Sequence, residues 1–233
     1  MTGSADGRER TRIALLHAMS ASMKPIADAF ARSWPEAEYF HVLDDALARD
    51  LDRIGRVTNA ISERIVALAR YAVAAGQHGI KTAGMIFTGT AFGPAAAKVR
   101  RSVPVPFLLA HEAAFAEAAA ESTSIGLLLT FEPSVEPLAA DMRAALQACG
   151  SNAHLEVRHV AGALEALRNG DLLEHDRLIA VQARNLGAST IVLGQFSMAR
   201  AADTVAEATG RQVITTPDRA LAALRSQVER AER

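Results

Sequence analysis

Apolar residues along this chain gather in short continuous runs, separated by longer stretches with helical spacing. Arg12-Ile-Ala-Leu-Leu-His-Ala18 is one such run and predicts a buried first strand. Met23, Ile26, Phe30 and Trp34 then recur at i, i+3, i+7 and i+11, a single stripe on a helix that Pro25 can open. Glu38 to Val42 predicts a short second strand. Asp44 to Arg56 is charged and irregular and predicts no more than a helical turn over the surface. Thr58 is placed to cap a helix carrying Ile61, Ile65, Leu68 and Ala72 on one face, with Gly76 at its stop. Ile80 to Phe87 is the next strand, Pro94 to Arg101 a helix and Val105 to Leu109 a strand. His111-Glu112 then opens an Ala-rich helix.

The order of elements then starts again. Ser124 to Thr130 predicts a strand, and Leu138, Met142, Leu146 and Cys149 mark one helix face ending at Gly150. Leu155 to Val160 is a strand, Leu173 to Leu186 a helix stopped by Gly187, and Thr190 to Leu193 a strand. Ala199 to Thr209 is a helix and Gln212 to Thr215 a strand. From Pro217 onward a last helix carries Leu221, Leu224 and Val228 on one side. Ile13 and Ile125 begin equivalent strands 112 positions apart, and Phe87 and Leu193 end equivalent strands 106 apart. Two measures of one offset agree within a loop length. The chain is therefore expected to be α/β, an internal duplication with a parallel sheet in each half.

Two stretches stand out at strand ends, Gly84-Met-Ile-Phe-Thr-Gly-Thr-Ala-Phe-Gly-Pro94 and Thr190-Ile-Val-Leu-Gly-Gln-Phe-Ser-Met-Ala-Arg200. Each runs from an apolar strand through a loop into a helix N-terminus, which leaves backbone N–H groups without partners and suits an anion. Ligands of open α/β sheets sit beyond the carboxyl ends of strands, so the two loops and the turns after Ala18 and Thr130 should converge on a cleft between the halves. Thr88, Thr90 and the amides of Gly89 to Gly93 would bind a carboxylate from one side, and Ser197 with the amides of Gln195 to Met198 from the other. The plainer reading is that Thr88 and Thr90 only cap a helix.

Composition narrows the classes. The chain has 233 residues, half of them hydrophobic, 5% aromatic, and a net charge of −1. No basic excess predicts a nucleic-acid partner, and no apolar run reaches the roughly 18 residues of a membrane span. A soluble, cytoplasmic protein is expected, compatible with a homo-oligomer, and Met1 to Thr11 is expected to be a loose polar tail. Cys149, the single cysteine, excludes an intramolecular disulfide and a CxxC metal site and is expected to be a packing residue at a helix end.

On these two loops the chain resembles the aspartate/glutamate/hydantoin racemase superfamily over nearly its full length. Ile-Phe-Thr-Gly-Thr-Ala-Phe-Gly (86–93) is similar to the first catalytic loop of that family, written T-C-[ST]-A-F-G in one branch. Ile-Val-Leu-Gly-Gln-Phe-Ser-Met-Ala (191–199) is similar to its second, L-G-C-A-G-M in others. The resemblance implies two similar flavodoxin-like domains with four-stranded parallel sheets, related by a pseudo-twofold, with the active cleft between them. Residues 1–110 with 216–233 would form the first domain and 111–215 the second. It also implies a small carboxylate ligand, no organic cofactor and no metal. The substrate-binding residues expected are Ser20, Thr88, Gly89, Thr90, Ala91, Thr130, Ser134, Gln195, Phe196 and Ser197.

Family racemases use two cysteines, one thiolate removing the α-proton and one thiol returning a proton from the other face. Here Gly89 and Gln195 stand at those positions, and neither side chain can titrate. Other groups must replace them. His111 and Glu112 follow a strand end, Glu132 sits in the turn after Thr130, and His17 ends the first strand. Each also has a plain structural reading: Glu112 as a first-turn helix residue, Glu132 as solvated loop, His17 as a core histidine. His175 with Asp176 is expected at the surface. The functions left open are a cysteine-independent isomerase or decarboxylase-type lyase, a non-catalytic carboxylate binder, and a racemase fold with activity lost.

Overall fold

In the computed structural model, which describes residues 11–76 and 81–231, each half of the chain builds its own parallel four-stranded sheet. The expected tail over residues 1–10 and the expected strand start at Ile80 lie outside the described residues. The first sheet has the order β2-β1-β3-β4, from β1 (Arg12–His17), β2 (Glu38–Leu43), β3 (Thr82–Phe87) and β4 (Phe107–Leu109). The second repeats it as β6-β5-β7-β8, from β5 (Ser124–Leu129), β6 (His154–His159), β7 (Thr190–Leu193) and β8 (Gln212–Thr215). The first strands of the two halves, β1 and β5, stand 112 residues apart end for end, so the duplication is one of architecture and register alike.

Alternating side chains of these strands feed opposite faces. Ile13, Leu15, Ile86 and Leu108 pack beneath α1 (Met23–Ser33) and α10 (Thr216–Ala231). Ala14, Leu16, Met85 and Phe87 pack beneath α2 (Ala46–Ile54), α3 (Asn59–Ala74) and α4 (Gly93–Arg100). In the second half Leu127, Leu129 and Val192 face α5 (Glu112–Glu121) and α6 (Val135–Cys149). Leu128, Ile191 and Leu193 face α8 (Leu172–Arg184) and α9 (Ala202–Thr209), with the short α7 (Ala163–Arg168) beside α8. The last helix, α10, leaves the second sheet and returns to the first. It approaches β3 so closely that a Cβ at Gly84 would lie 2.9 Å from Val228 Cγ2 and 3.0 Å from Leu224 Cδ1.

Asp44 to Arg56, expected to be irregular, contains a full helix, α2. Leu47 and Leu51 recur at i and i+4 and are buried. Gly55 stops the helix in the left-handed region (φ 74°), its N–H bonding to Leu51 O at 2.7 Å. The many charges of this stretch lie on its outer face, where Arg64 of α3 binds both Asp44 and Asp50. Thr58 caps α3 as expected, accepting from Ile61 N at 3.2 Å.

Candidate functional site

β1, β3, β5 and β7 are each followed by a 3-10 segment, one turn at Ser20–Ser22, Thr90–Phe92 and Glu132–Ser134 and two turns at Phe196–Ala201. The four turns meet between the sheets, Ser20–Ser22 against Phe196–Ala201 and Thr90–Phe92 against Glu132–Ser134. These two contacts exchange under the pseudo-twofold. They enclose a cavity of about 30 Å³ lined by Thr88 to Phe92 from the first half and by Phe131 and Gln195 to Ser197 from the second. That volume holds a water or two. It shares the wall Ala18, Met19 and Ala48 with an outer cavity of about 770 Å³ that contains Ser20. Two aromatics lock the turns across the interface: Phe131 of the second half joins the core of the first, and Phe196 joins Ile13, Leu15, Ile26 and Phe30.

Thr90 and Ser197 are both buried and line the small cavity, and among the described residues neither hydroxyl makes a hydrogen bond. The amides that begin a 3-10 turn have no acceptor within it. The cavity therefore has free donors on both sides. Gly89 and Gln195, where the resemblance led us to expect cysteines in related proteins, are set in different ways. A Cβ at Gly89 would lie 2.8 Å from Phe92 Cδ2 and 2.9 Å from Phe87 Cζ, so the space a thiol would need is taken by two packed rings. Gln195 is turned into its own half. Its Oε1 accepts from Thr130 N (2.7 Å), Thr130 Oγ1 (2.9 Å) and Phe131 N (3.3 Å), while its Nε2 donates to Ser134 Oγ (3.3 Å). Three donors converging on one oxygen is a carboxylate-like arrangement, here satisfied by the chain's own carboxamide. Of the residues expected to hold substrate, Thr130 bonds Gln195, and Ser134 Oγ donates to Phe131 O at 2.6 Å while accepting from Gln195.

Behind Thr88 lies a chain of imidazoles. His17 Nδ1 is 2.9 Å from Thr88 Oγ1, and His17 Nε2 is 2.8 Å from His41 Nδ1. His17 is 1% exposed. Burial, and next the neighbouring His41, lower its pKa from 6.5 to about 3, so the imidazole is neutral. Burial also lowers the pKa of His41, which is half-buried.

The other candidates lie elsewhere. His111 is buried, bonds Asp141 Oδ2 at 2.9 Å and lines a cavity among α4, α5 and α6 that shares no residue with the one between the loops. The Glu112 carboxylate binds Arg100 at 2.5 and 2.6 Å and accepts from Leu109 N at 3.0 Å, which ties α4 to the end of β4. Glu132 is exposed on a third cavity that touches the site only through Ala91. The strand-end rule brought these three near the sheet edges but not into one pocket. Cys149 is the last residue of α6, with Sγ 3.4 Å from Ala119 O and Leu146 O. His175 and Asp176, expected at the surface, are buried: Asp176 takes a two-pronged bond from Arg200 of the second loop and one from His175 Nδ1. Among the described residues no group of three or more His, Cys, Asp or Glu side chains could hold a metal ion, and no helix is long and apolar enough to cross a membrane.

Sequence reasoning missed His41 and the contribution of α2. The signal for His41 was its place on the edge strand, one register step below His17 on the same face, since His41 pairs with Leu15. That could be seen only once the pairing of β1 with β2 was fixed.

No family model and no curated protein matches the sequence. Solved structures do match in fold. Glutamate racemase from Francisella tularensis in complex with D-glutamate superposes with a TM-score of 0.72 at 12% identity, over 97% of this chain and 83% of that one. Allantoin racemase from Pseudomonas fluorescens gives 0.68 at 18% identity, over 95% and 92%. A mutant of arylmalonate decarboxylase, in its liganded form, gives 0.63 at 17% identity, over 94% and 93%. The chain has the two-sheet fold of these racemases and this decarboxylase, as its loops led us to expect.

Proposed function

We propose that this protein binds a small carboxylate between the Thr88–Ala91 and Gln195–Ser197 loops. There it moves a proton at the adjacent carbon without a cysteine or an organic cofactor, as an isomerase or a decarboxylase-type lyase. One observation carries the reading: Thr90 and Ser197, buried residues of opposite halves whose hydroxyls make no hydrogen bond among the described residues, line one cavity at the ends of the strands. The neighbours of like fold named for glutamate and arylmalonate support the substrate class, while the one named for allantoin extends it to a carbon acid beside an amide carbonyl. The cavity holds the space of a water or two beside the outer cavity, with which it shares Ala18, Met19 and Ala48, so a ligand enters from that side by parting the turns. Three arginines, Arg49, Arg53 and Arg168, outnumber the two acids, Asp45 and Asp52, around that outer space. Their charge favours an approaching anion.

A second reading, a binder without catalysis, is favoured by Gln195, which fills donors that would otherwise hold substrate. Deuterium incorporation from D₂O decides between them, run on glutamate, aspartate, allantoin and an arylmalonate with binding measured in parallel by calorimetry. Exchange at the carbon beside the carboxylate, or beside the ring carbonyl of allantoin, or loss of CO₂ from the malonate, is the expected result. Binding without exchange would leave the binder, and absence of both would overturn the site.

A further inference from the structure

The cleft has lost both thiols, and its histidine candidate at 111 opens elsewhere, yet one line of titratable groups does reach the cavity wall. Thr88 lines the cavity, His17 is sealed behind it, and His41 continues the line to a half-buried position on the outer strand β2. The contacts between them are 2.9 and 2.8 Å. We infer that Thr88, His17 and His41 form a proton wire between the cleft and solvent, with Thr88 as the group that meets the substrate. The inference rests on the proposed function only for what stands at its inner end.

Both contacts are satisfied in one of two senses. In the first, the Thr88 hydroxyl donates to His17 Nδ1 and His17 Nε2–H donates to His41 Nδ1. In the second every donor is reversed: His41 Nδ1–H donates to His17 Nε2, His17 Nδ1–H donates to Thr88 Oγ1, and the hydroxyl hydrogen faces the cleft. From the first sense, a substrate C–H bond breaks and its proton joins Thr88 Oγ1. The hydroxyl proton passes to His17 Nδ1, the Nε2 proton of His17 to His41 Nδ1, and the Nε2 proton of His41 to water. The electron pair stays on the substrate as a carbanion, and no charge remains on the wire. The wire is left in the second sense, from which delivery runs the same hops inward and consumes one proton from water. Removal followed by delivery therefore restores the starting state. Because Thr88 serves one face of the carbon, the cycle exchanges the proton with retention, and inverts the centre only where the carbanion turns before delivery. His17 suits the part because its neutrality lets it pass a proton without storing one.

His41→Gln tests the wire, because a carboxamide can still bond His17 Nε2 but cannot relay a proton. The first readout is solvent exchange of the His17 ring N–H, followed by NMR on protein labelled at histidine, and it needs no substrate. Exchange should slow about tenfold or more in His41→Gln, because the buried proton must then wait for local opening. In Thr88→Val it should continue, since the route through His41 is intact. An unchanged rate in His41→Gln overturns the proposal. The second readout uses whichever acid of the panel exchanges: both variants should lose about 10²-fold in substrate deuteration. Added imidazole should restore part of that loss in His41→Ala and none in Thr88→Val. If no acid of the panel exchanges, the function fails while the ring exchange still decides the wire.

Discussion

Replacing Gln195 tests whether its carboxamide stands in for a ligand carboxylate. Leucine at this position keeps the volume and removes the acceptor. It strands the N–H groups of Thr130 and Phe131, which now lie 2.7 and 3.3 Å from Gln195 Oε1. The Thr130 hydroxyl can turn away, so two backbone donors carry the cost, and at about 1–3 kcal/mol per stranded group the loss should be about 3 kcal/mol. Alanine removes the same acceptor but opens space beside the existing cavity, and water can enter to bond both donors. Gln195→Ala should then lose only about 1–2 kcal/mol despite the larger truncation. The order, leucine worse than alanine, is opposite to that of an ordinary apolar core site. Urea unfolding followed by circular dichroism reads both variants, and Gln195→Leu should move the midpoint by about 1 M or more. Trp34, buried on α1 of the first half, gives a second probe that should move less if the damage starts in the second half. Acetate or formate should stabilise Gln195→Ala more than the wild type, because the variant adds the vacated donors of Thr130 and Phe131 to those the cavity already offers. A leucine variant as stable as the wild type, or an alanine variant indifferent to acetate, would refute the surrogate argument.

Two further outcomes follow from the same region. Gly89→Cys should cost about 1–3 kcal/mol, since its Cβ would meet Phe87 and Phe92 within 3 Å, and melting should fall by about 2–4 °C for each kcal/mol; an unshifted melt would mean the rings yield freely. His17 makes stability pH-dependent in a defined direction. Its folded pKa is lowered from 6.5 to about 3, so between those values only the unfolded chain binds the proton. Its contribution is full above 6.5 and is lost as pH falls. By pH 5 the loss should be about 2 kcal/mol. Urea midpoints at pH 7 and pH 5 should show it in the wild type and not in His17→Gln; equal pH slopes in the two would remove His17 as the cause.

The sheet architecture was legible because its signal is local. Runs such as Ile13 to Leu16 and Ile191 to Leu193 need burial on both faces, and equivalent runs recur at offsets that agree within a loop length. Asp44 to Arg56 was misjudged because its charges outnumber its apolar anchors, and Leu47 and Leu51 reveal a helix only once α3 is seen to take up the acidic groups. The two loops were legible as strand ends, so Thr88 to Ala91 and Gln195 to Ser197 were rightly expected to face one another. What the side chains do there was not legible. The orientation of Gln195 depends on Thr130, 65 residues away, and that of His17 on Thr88, 71 residues away. Glu112 and His111 were misplaced for a related reason: following a strand end fixes a residue's height above the sheet but not the side of the edge on which it lies.

The return of α10 to the first sheet has a consequence for biosynthesis. Ile13, Leu15, Ile86 and Leu108 are made early, yet Leu221, Leu224 and Val228, which roof them, follow Leu108 by more than a hundred residues. At about 5–20 residues per second, that apolar strip waits on the order of ten seconds for its cover. Throughout that interval the nascent first half offers a sticky flank to any chaperone, or to a neighbouring unfinished copy.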